Sequence, residues 1–384
     1  MDFLHAAEHA LHLPEQPKGR WNRLGVSSRT ERALDFAGGV VLVLFAGGWL
    51  WSIITARTAS GAEAGAVSPA TAAITAALTN PDAPTTAYLT DATVRAVTGE
   101  RGASGKLRVE ISNDTLGFPK DSVPAGARVL YTQGGDVADT SARPAGAGVW
   151  RMALAIGNGL RPITDFSFIR LQPFSAKRSG RIGLYYIGSW PGEKGRVRSK
   201  KGSPAAYANP SGFIEVTPEN EDTYVSEHFR LRDFLTHDQA NVWPKYMVLQ
   251  LSMVDKLELV LTDLAEHGVD VSGVKVMSGF RTPQYNKTGG DPSGRAGLSR
   301  HMYGDAADIF IDNNGDGVMD DLNHDGRISI GDGKVIEAAV DRVEAAHPEL
   351  IGGAGLYTAA PGHGPFIHID TRGYRARWTG TGGG

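Results

Sequence analysis

Apolar residues are distributed along the chain in three regimes. Residues 36–54, FAGGVVLVLFAGGWLWSII, carry no charged side chain. About 20 apolar residues in a helix cross the hydrocarbon core of a bilayer, so this run predicts a transmembrane anchor over 34–56. Between residues 107 and 190 the apolar positions fall into short β-branched or aromatic runs, LRVEIS, ARVLYT, VWRMALAI and IGLYYIGSW, separated by Gly, Pro and Asn. These read as strands of a small β-rich domain. Beyond residue 213 the periods mix. Val248, Leu251, Val254, Leu257, Leu261 and Leu264 recur at spacings of three and four, with Gly268 behind them, the stripe of an amphipathic helix and its stop. Residues 274–277, 306–311 and 366–369 read as strands and 335–346 as a helix. Helices and strands alternate without regular βαβ repeats, which predicts an α+β domain on a mainly antiparallel sheet.

The chain thus divides into an N-terminal segment (1–33), the anchor (34–56), a linker or stalk (57–100), a β-rich domain (101–205) and a C-terminal domain (206–384). The linker is rich in Ala, Thr, Ser, Gly and Pro and has too few large apolar residues to bury a core. Lys18, Arg20, Arg23, Arg29 and Arg32 precede the anchor, whereas Arg57 is the sole basic residue after it before Arg95. The positive-inside bias then leaves the N-terminus in the cytoplasm and carries the folded domains across the inner membrane, to a periplasmic or extracytoplasmic position. A cleaved signal peptide is the rival reading, but the preceding segment is long and the apolar run exceeds a usual signal core.

Composition narrows the chemistry. With 384 residues, 41% of them hydrophobic, the chain can bury a sizeable core, and a formal charge of -3 argues against a nucleic-acid partner. No cysteine is present, so a metal site must use His and carboxylates. Lys194, Arg196, Arg198, Lys200 and Lys201 form a basic stretch that suits either a solvated loop or contact with an anionic polymer.

Three segments carry candidate chemistry: SGFRTPQYN at 278–286, SRHMYGDAADIF at 299–310 and GHGPFIHIDTRG at 362–373. Catalytic zinc takes three protein ligands from His and carboxylate and keeps a fourth position for water. His301, Asp308 and His368 could supply that set. Asp308 lies in the apolar run AADIFI, where a lone carboxylate is costly to bury unless paired or metal-bound.

The pattern S-G-F-R at 278–281, S-x-H-x-x-G-x-A-x-D at 299–308 and H-x-D at 368–370 resembles the zinc D-Ala-D-Ala carboxypeptidase family, which includes VanY-like peptidases of the bacterial cell wall. The resemblance covers residues 213–378 and does not reach the β-rich domain. It implies His301, Asp308 and His368 as zinc ligands, Arg281 as the fork that holds a substrate carboxylate, and Ser299 in the same pocket. It further implies hydrolysis of peptidoglycan stem peptides, by a D,D-carboxypeptidase or an endopeptidase, with a metal-activated water. The family places an acidic base three residues before its last zinc-binding His; here that position is Pro365. Asp370, on the same face of a strand as His368, and His363, five residues before it, are the substitutes. Asp370 reads equally as a partner that orients the His368 ring. A zinc-containing but non-hydrolytic wall-binding protein is the alternative.

Between two of the presumed ligands lies DNNGDGVMDDLNHDGRISIGD, residues 312–332. Asp321, Asn323, Asp325, Arg327 (through its carbonyl), Ser329 and Asp332 fall at positions one, three, five, seven, nine and twelve of a calcium loop, with Gly326 at the turn. Asp312, Asn314, Asp316 and Gly317 repeat its first half, with Asp320 and Asp321 available to complete it. The insert is expected to bind structural calcium.

Overall fold

In the computed structural model, residues 101–113, 128–133, 143–156, 159–195, 197, 204–289, 292 and 295–381 are described. The expected anchor, the linker and most of the basic stretch lie outside them. Among the described residues no helix is long and apolar enough to cross a membrane.

The first sheet holds β1 (Val109–Ser112), β2 (Arg128–Thr132), β3 (Gly148–Ile156) and β4 (Gly159–Arg170) in the order β1-β4-β3-β2. Its pairings are antiparallel except β1 with β4. Three of the four apolar runs become strands here. The longest strand, β4, was not expected, since Pro162 and Asp165 interrupt its alternation. A three-stranded antiparallel sheet follows, from β5 (Gln172–Pro173), β8 (Gly212–Val216) and β9 (Lys245–Met247). The run at 182–190 forms only the short hairpin β6 (Arg181–Ile182) and β7 (Tyr185–Tyr186). Its Ile187 and Trp190 are buried from a loop instead, and the Trp190 indole N–H donates to the Met302 carbonyl at 2.8 Å. Leu107, Val109, Ile169 and Trp190 share one apolar cluster with Leu257, Ile309 and Ile367. The β-rich part and the C-terminal part therefore pack around a continuous core within residues 69–384.

The C-terminal part contains α1 (Leu251–Glu266), β10 (Val274–Ser278), α2 (Pro283–Thr288), β11 (Ala306–Ile311), α3 (Ile330–Ala346), β12 (Gly353–Tyr357), β13 (Phe366–Asp370) and β14 (Ala376–Gly380). Its five strands run β10-β11-β13-β12-β14, all antiparallel except β12 with β14. The protein is thus mixed α+β with mostly antiparallel sheets, as the periodicities indicate. Helix α3 starts five residues before the expected 335 because Ser329 caps it: the hydroxyl accepts from Gly331 N–H, while Asp332 reaches back to the Ser329 amide at 2.7 Å.

Alternation along the strands sorts the two faces of this sheet. Ala307, Ile309, Ile311, Ala354, Leu356, Ile367 and Ile369 point to one side and are buried; α3 packs against β12 and β13 there. Lys256 of α1, fully buried, pairs with Glu344 of α3 at 2.6 Å and donates to the Asp370 carbonyl at 2.8 Å, tying both helices to the end of β13. The opposite face presents Asp308, Gly355, Tyr357, Phe366, His368 and Trp378, and this face floors the candidate site.

Candidate metal centre

Two of the three candidate ligands owe their meeting to strand register. Asp308 of β11 and His368 of β13 are direct partners across the ladder, and His368 Nδ1 lies 2.9 Å from Asp308 Oδ1. The third arrives on a 3-10 turn, Arg300–Tyr303. Ser299 starts that turn without a side-chain cap, and Gly304 ends it at φ 70°, a left-handed conformation that disfavours residues with a Cβ. Turn and strand together explain the seven-residue spacing: His301 projects from the turn and Asp308 from the third residue of β11. His301 Nε2 then lies 3.1 Å from His368 Nδ1 and 3.2 Å from Asp308 Oδ1.

Proton bookkeeping on these rings points to a cation. His301 Nδ1 is 2.6 Å from the Gly279 carbonyl, which can only accept, so Nδ1 carries the hydrogen and Nε2 keeps a lone pair. His368 Nε2 is 2.9 Å from Asp370 Oδ2, which leaves Nδ1 as the second lone pair. Two ring nitrogens and a carboxylate oxygen thus converge at 2.9–3.2 Å from one another. Ligand atoms about 2.0–2.1 Å from a tetrahedral zinc are separated by about 3.3 Å. His301, Asp308 and His368, all buried, could hold a metal ion, and the donor chemistry fits.

The electrostatics agree. Burial, then the Arg281 charge, pushes His301 down to about 4, so the ring stays neutral. Burial opposes a charge on His368 as well, but hydrogen bonds to Asp308 and Asp370 outweigh it and push it up to about 9. A field that draws a proton to Nδ1 draws a divalent cation to the same atom, and the two compete for it. Burial would also raise Asp308; His301 and Arg281 overcome this and hold it well below the usual carboxylate range.

The neighbours fix the geometry. Arg281 donates from Nη2 to Asp308 Oδ2 at 2.5 Å and from Nε to Ser278 Oγ at 2.8 Å. Its Nη1 has no hydrogen-bond partner among the described residues. Arg281 and Ser299, both expected at the site, line a cavity of about 490 Å³ together with the three candidate ligands, Tyr207, Arg300, Tyr357, Phe366, Arg372 and Trp378.

The two substitutes for the missing acid are placed differently from the catalytic expectation. Asp370 is fully buried behind His368, on the Nε2 side, away from the converging lone pairs. Its carboxylate also accepts from the amides of Gly353 and Arg372 and from the Arg372 guanidinium. Although burial raises such a group, His368 and Arg372 hold it far below the ordinary range. Asp370 is therefore placed to hold the His368 ring from its Nε2 side and does not face the converging lone pairs. His363 is absent from the cavity lining; its ring stands edge-on to Phe366, 5.2 Å between centroids, and Nδ1 meets the Gly364 carbonyl at 2.7 Å.

In the 312–332 insert the side chains of Asp312, Asn314, Asp316, Asp320, Asp321, Asn323, Asp325, Ser329 and Asp332 accept from backbone amides of the same segment. Both halves repeat one pattern: Asp312 accepts from Asp316 and Gly317, and Asp321 from Asp325 and Gly326. Among the described residues, three carboxylate or His groups converge within 4.8 Å only at His301, Asp308 and His368, and not in this insert.

Sequence reasoning did not single out Tyr357, Trp378 or Arg372. Arg372 follows Asp370 at the spacing that puts His368 and Asp370 on one face, a usable signal; Tyr357 and Trp378 join the site only through the pairing of β12 with β13 and β14. No family model, curated protein or solved structure matches the chain.

Proposed function

We propose that the chain is a zinc-dependent peptidase that hydrolyses peptide bonds in peptidoglycan stem peptides, held outside the cytoplasm by its N-terminal apolar run. The observation that carries this reading is the convergence of His301 Nε2, Asp308 Oδ1 and His368 Nδ1 at the floor of a cavity that also contains Arg281. Those three side chains would hold the ion. Bound there, zinc would lower the pKa of a water toward about 7 and polarise the scissile carbonyl. Asp370, braced by Arg372, keeps the His368 ring turned so that Nδ1 faces the cavity. Arg281 fixes Asp308 with one terminal nitrogen and has the other for a carboxylate of the substrate, which suits a peptide C-terminus.

A second reading has its own observation. Among the described residues Asp308 is the sole carboxylate in the cavity lining, and Pro365 stands where the resembling family has an acid. A zinc-containing protein that binds wall peptides without cutting them fits that deficit.

Metal analysis of the full chain, combined with chromatography of muropeptides after incubation, separates the two. Loss of a terminal D-Ala or of a crosslink with zinc bound supports the peptidase. Stoichiometric zinc with no cleavage of pentapeptide or crosslinked muropeptides supports the binding protein. Absence of any bound divalent metal rejects both.

A further inference from the structure

Tyr357 holds an unusual position in the cavity wall. It pairs with Phe366 across β12 and β13, two residues from His368 on the same face, and the two rings stack 4.7 Å apart at 5°. That stack fixes the phenol plane. The Trp378 indole N–H, from β14, reaches the Tyr357 hydroxyl at 3.0 Å. An indole nitrogen can only donate, so the phenol oxygen is the acceptor and its own hydrogen is directed elsewhere. Among the described residues that hydrogen has no acceptor. Trp378 is itself anchored: its ring lies 5.3 Å from the His368 ring and beneath the Arg372 guanidinium at 5.0 Å.

The charges that act on the phenol are those of the metal centre. Asp308 opposes its ionisation, while Arg281 and Arg372 favour it; burial is the largest influence and raises the phenol above its ordinary value. The hydroxyl therefore keeps its proton at neutral pH. Among the described residues the cavity lining has no carboxylate other than Asp308, His363 lies outside it, and Asp370 faces away. A preorganised neutral donor in a cavity wall is the arrangement that stabilises an oxyanion.

Building on the peptidase reading, we propose that Tyr357 is a catalytic residue that donates a hydrogen bond to the oxyanion developing on the scissile carbonyl, with Trp378 as the positioning residue that aims it. Water adds to the carbonyl carbon, the C–N bond breaks, the water oxygen remains in the product carboxylate, and both water protons end on the leaving nitrogen. Tyr357 retains its own proton throughout. An amide substrate is what this donor suits, since its carbonyl oxygen gains charge in the transition state.

The test compares Tyr357→Phe and Trp378→Phe with the parent chain, using a zinc-loaded full chain, a pentapeptide muropeptide and a phosphinate dipeptide as an oxyanion mimic. Tyr357→Phe keeps the stack on Phe366 and removes one oxygen. It should lower kcat about 100-fold or more, the usual cost of an oxyanion donor, with KM and zinc content unchanged. Its affinity for the phosphinate, measured by calorimetry, should fall while that for the reaction product does not. Trp378→Phe should cause a smaller loss in the same two quantities. A parent chain that turns over and a Tyr357→Phe variant that matches it in kcat and phosphinate affinity would overturn the assignment and leave the peptidase reading intact. A zinc-loaded parent chain that neither cleaves the peptide nor binds the phosphinate would overturn both.

Discussion

Asp308 and His368 are register partners on adjacent antiparallel strands, and their side chains meet at 2.9 Å on the face of the sheet that α3 leaves open. Because successive residues of a strand face opposite sides, a slip of one residue would turn one of them into the apolar core. The apolar pattern that packs Ala307, Ile309, Ile367 and Ile369 against the core therefore also fixes two of the candidate metal ligands.

One zinc per chain is the expected stoichiometry. His301→Ala, Asp308→Ala and His368→Ala should each reduce it to background in metal analysis of the purified protein. Removing the ion with a chelator should lower the unfolding midpoint, since a ligand at 100 times its Kd stabilises a fold by about 2.7 kcal/mol. Full occupancy in any of the three single variants would exclude that residue as a ligand.

Asp370→Asn separates orientation from proton transfer. The Asn carbonyl can still accept from His368 Nε2–H, but the charge that Arg372 neutralises is gone. Loss of such an orienting partner weakens metal binding by about 10–100-fold. Competition with a chromophoric chelator should register that loss, and turnover should recover when zinc is raised. If activity stays abolished at saturating zinc, Asp370 transfers protons and its placement behind His368 has been misread.

Much of the C-terminal architecture is legible in the sequence because burial imposes periodicity. Of the stripe that begins at Val248, Leu251 to Leu264 lie on α1 and Val248 precedes it, and AADIFI and FIHID become β11 and β13 as their apolar alternation requires. The ligand triad is legible for a related reason: polar residues in otherwise apolar strands need partners. What the sequence hides is non-local. Gly355 and Trp378 are 23 positions apart and meet only because β12 and β14 pair in parallel. Asp370 was ambiguous because two-residue spacing gives its face and not which nitrogen of His368 it meets. The fate of 182–190 was hidden too, since Trp190 is as apolar in a buried loop as in a strand.

Calcium is expected to order residues 312–332. The amide-to-carboxylate pattern repeats in both halves, and gathering so many acids within 21 residues is unfavourable unless a cation compensates it. Millimolar calcium should raise the unfolding midpoint of the zinc-loaded chain, magnesium should do so less, and Asp312→Ala or Asp321→Ala should each remove part of the rise. An unchanged midpoint on calcium addition would mean that backbone hydrogen bonds alone hold this segment.

Gly355→Ala tests how far the site depends on the indole. The backbone at Gly355 has no positive φ, so alanine is conformationally acceptable there. The added methyl, however, would overlap the Trp378 ring at Cε2 and Nε1. Overpacking of this kind costs about 1–3 kcal/mol, and the movable partner is the indole on the edge strand β14. Its displacement would take the N–H from the Tyr357 hydroxyl and the ring from His368, while the three ligand atoms remain where register puts them. Zinc stoichiometry should therefore be preserved, tryptophan fluorescence should change, and kcat should fall by no more than in Tyr357→Phe. A variant that loses zinc would show instead that the indole packed on His368 holds the ligand itself in place.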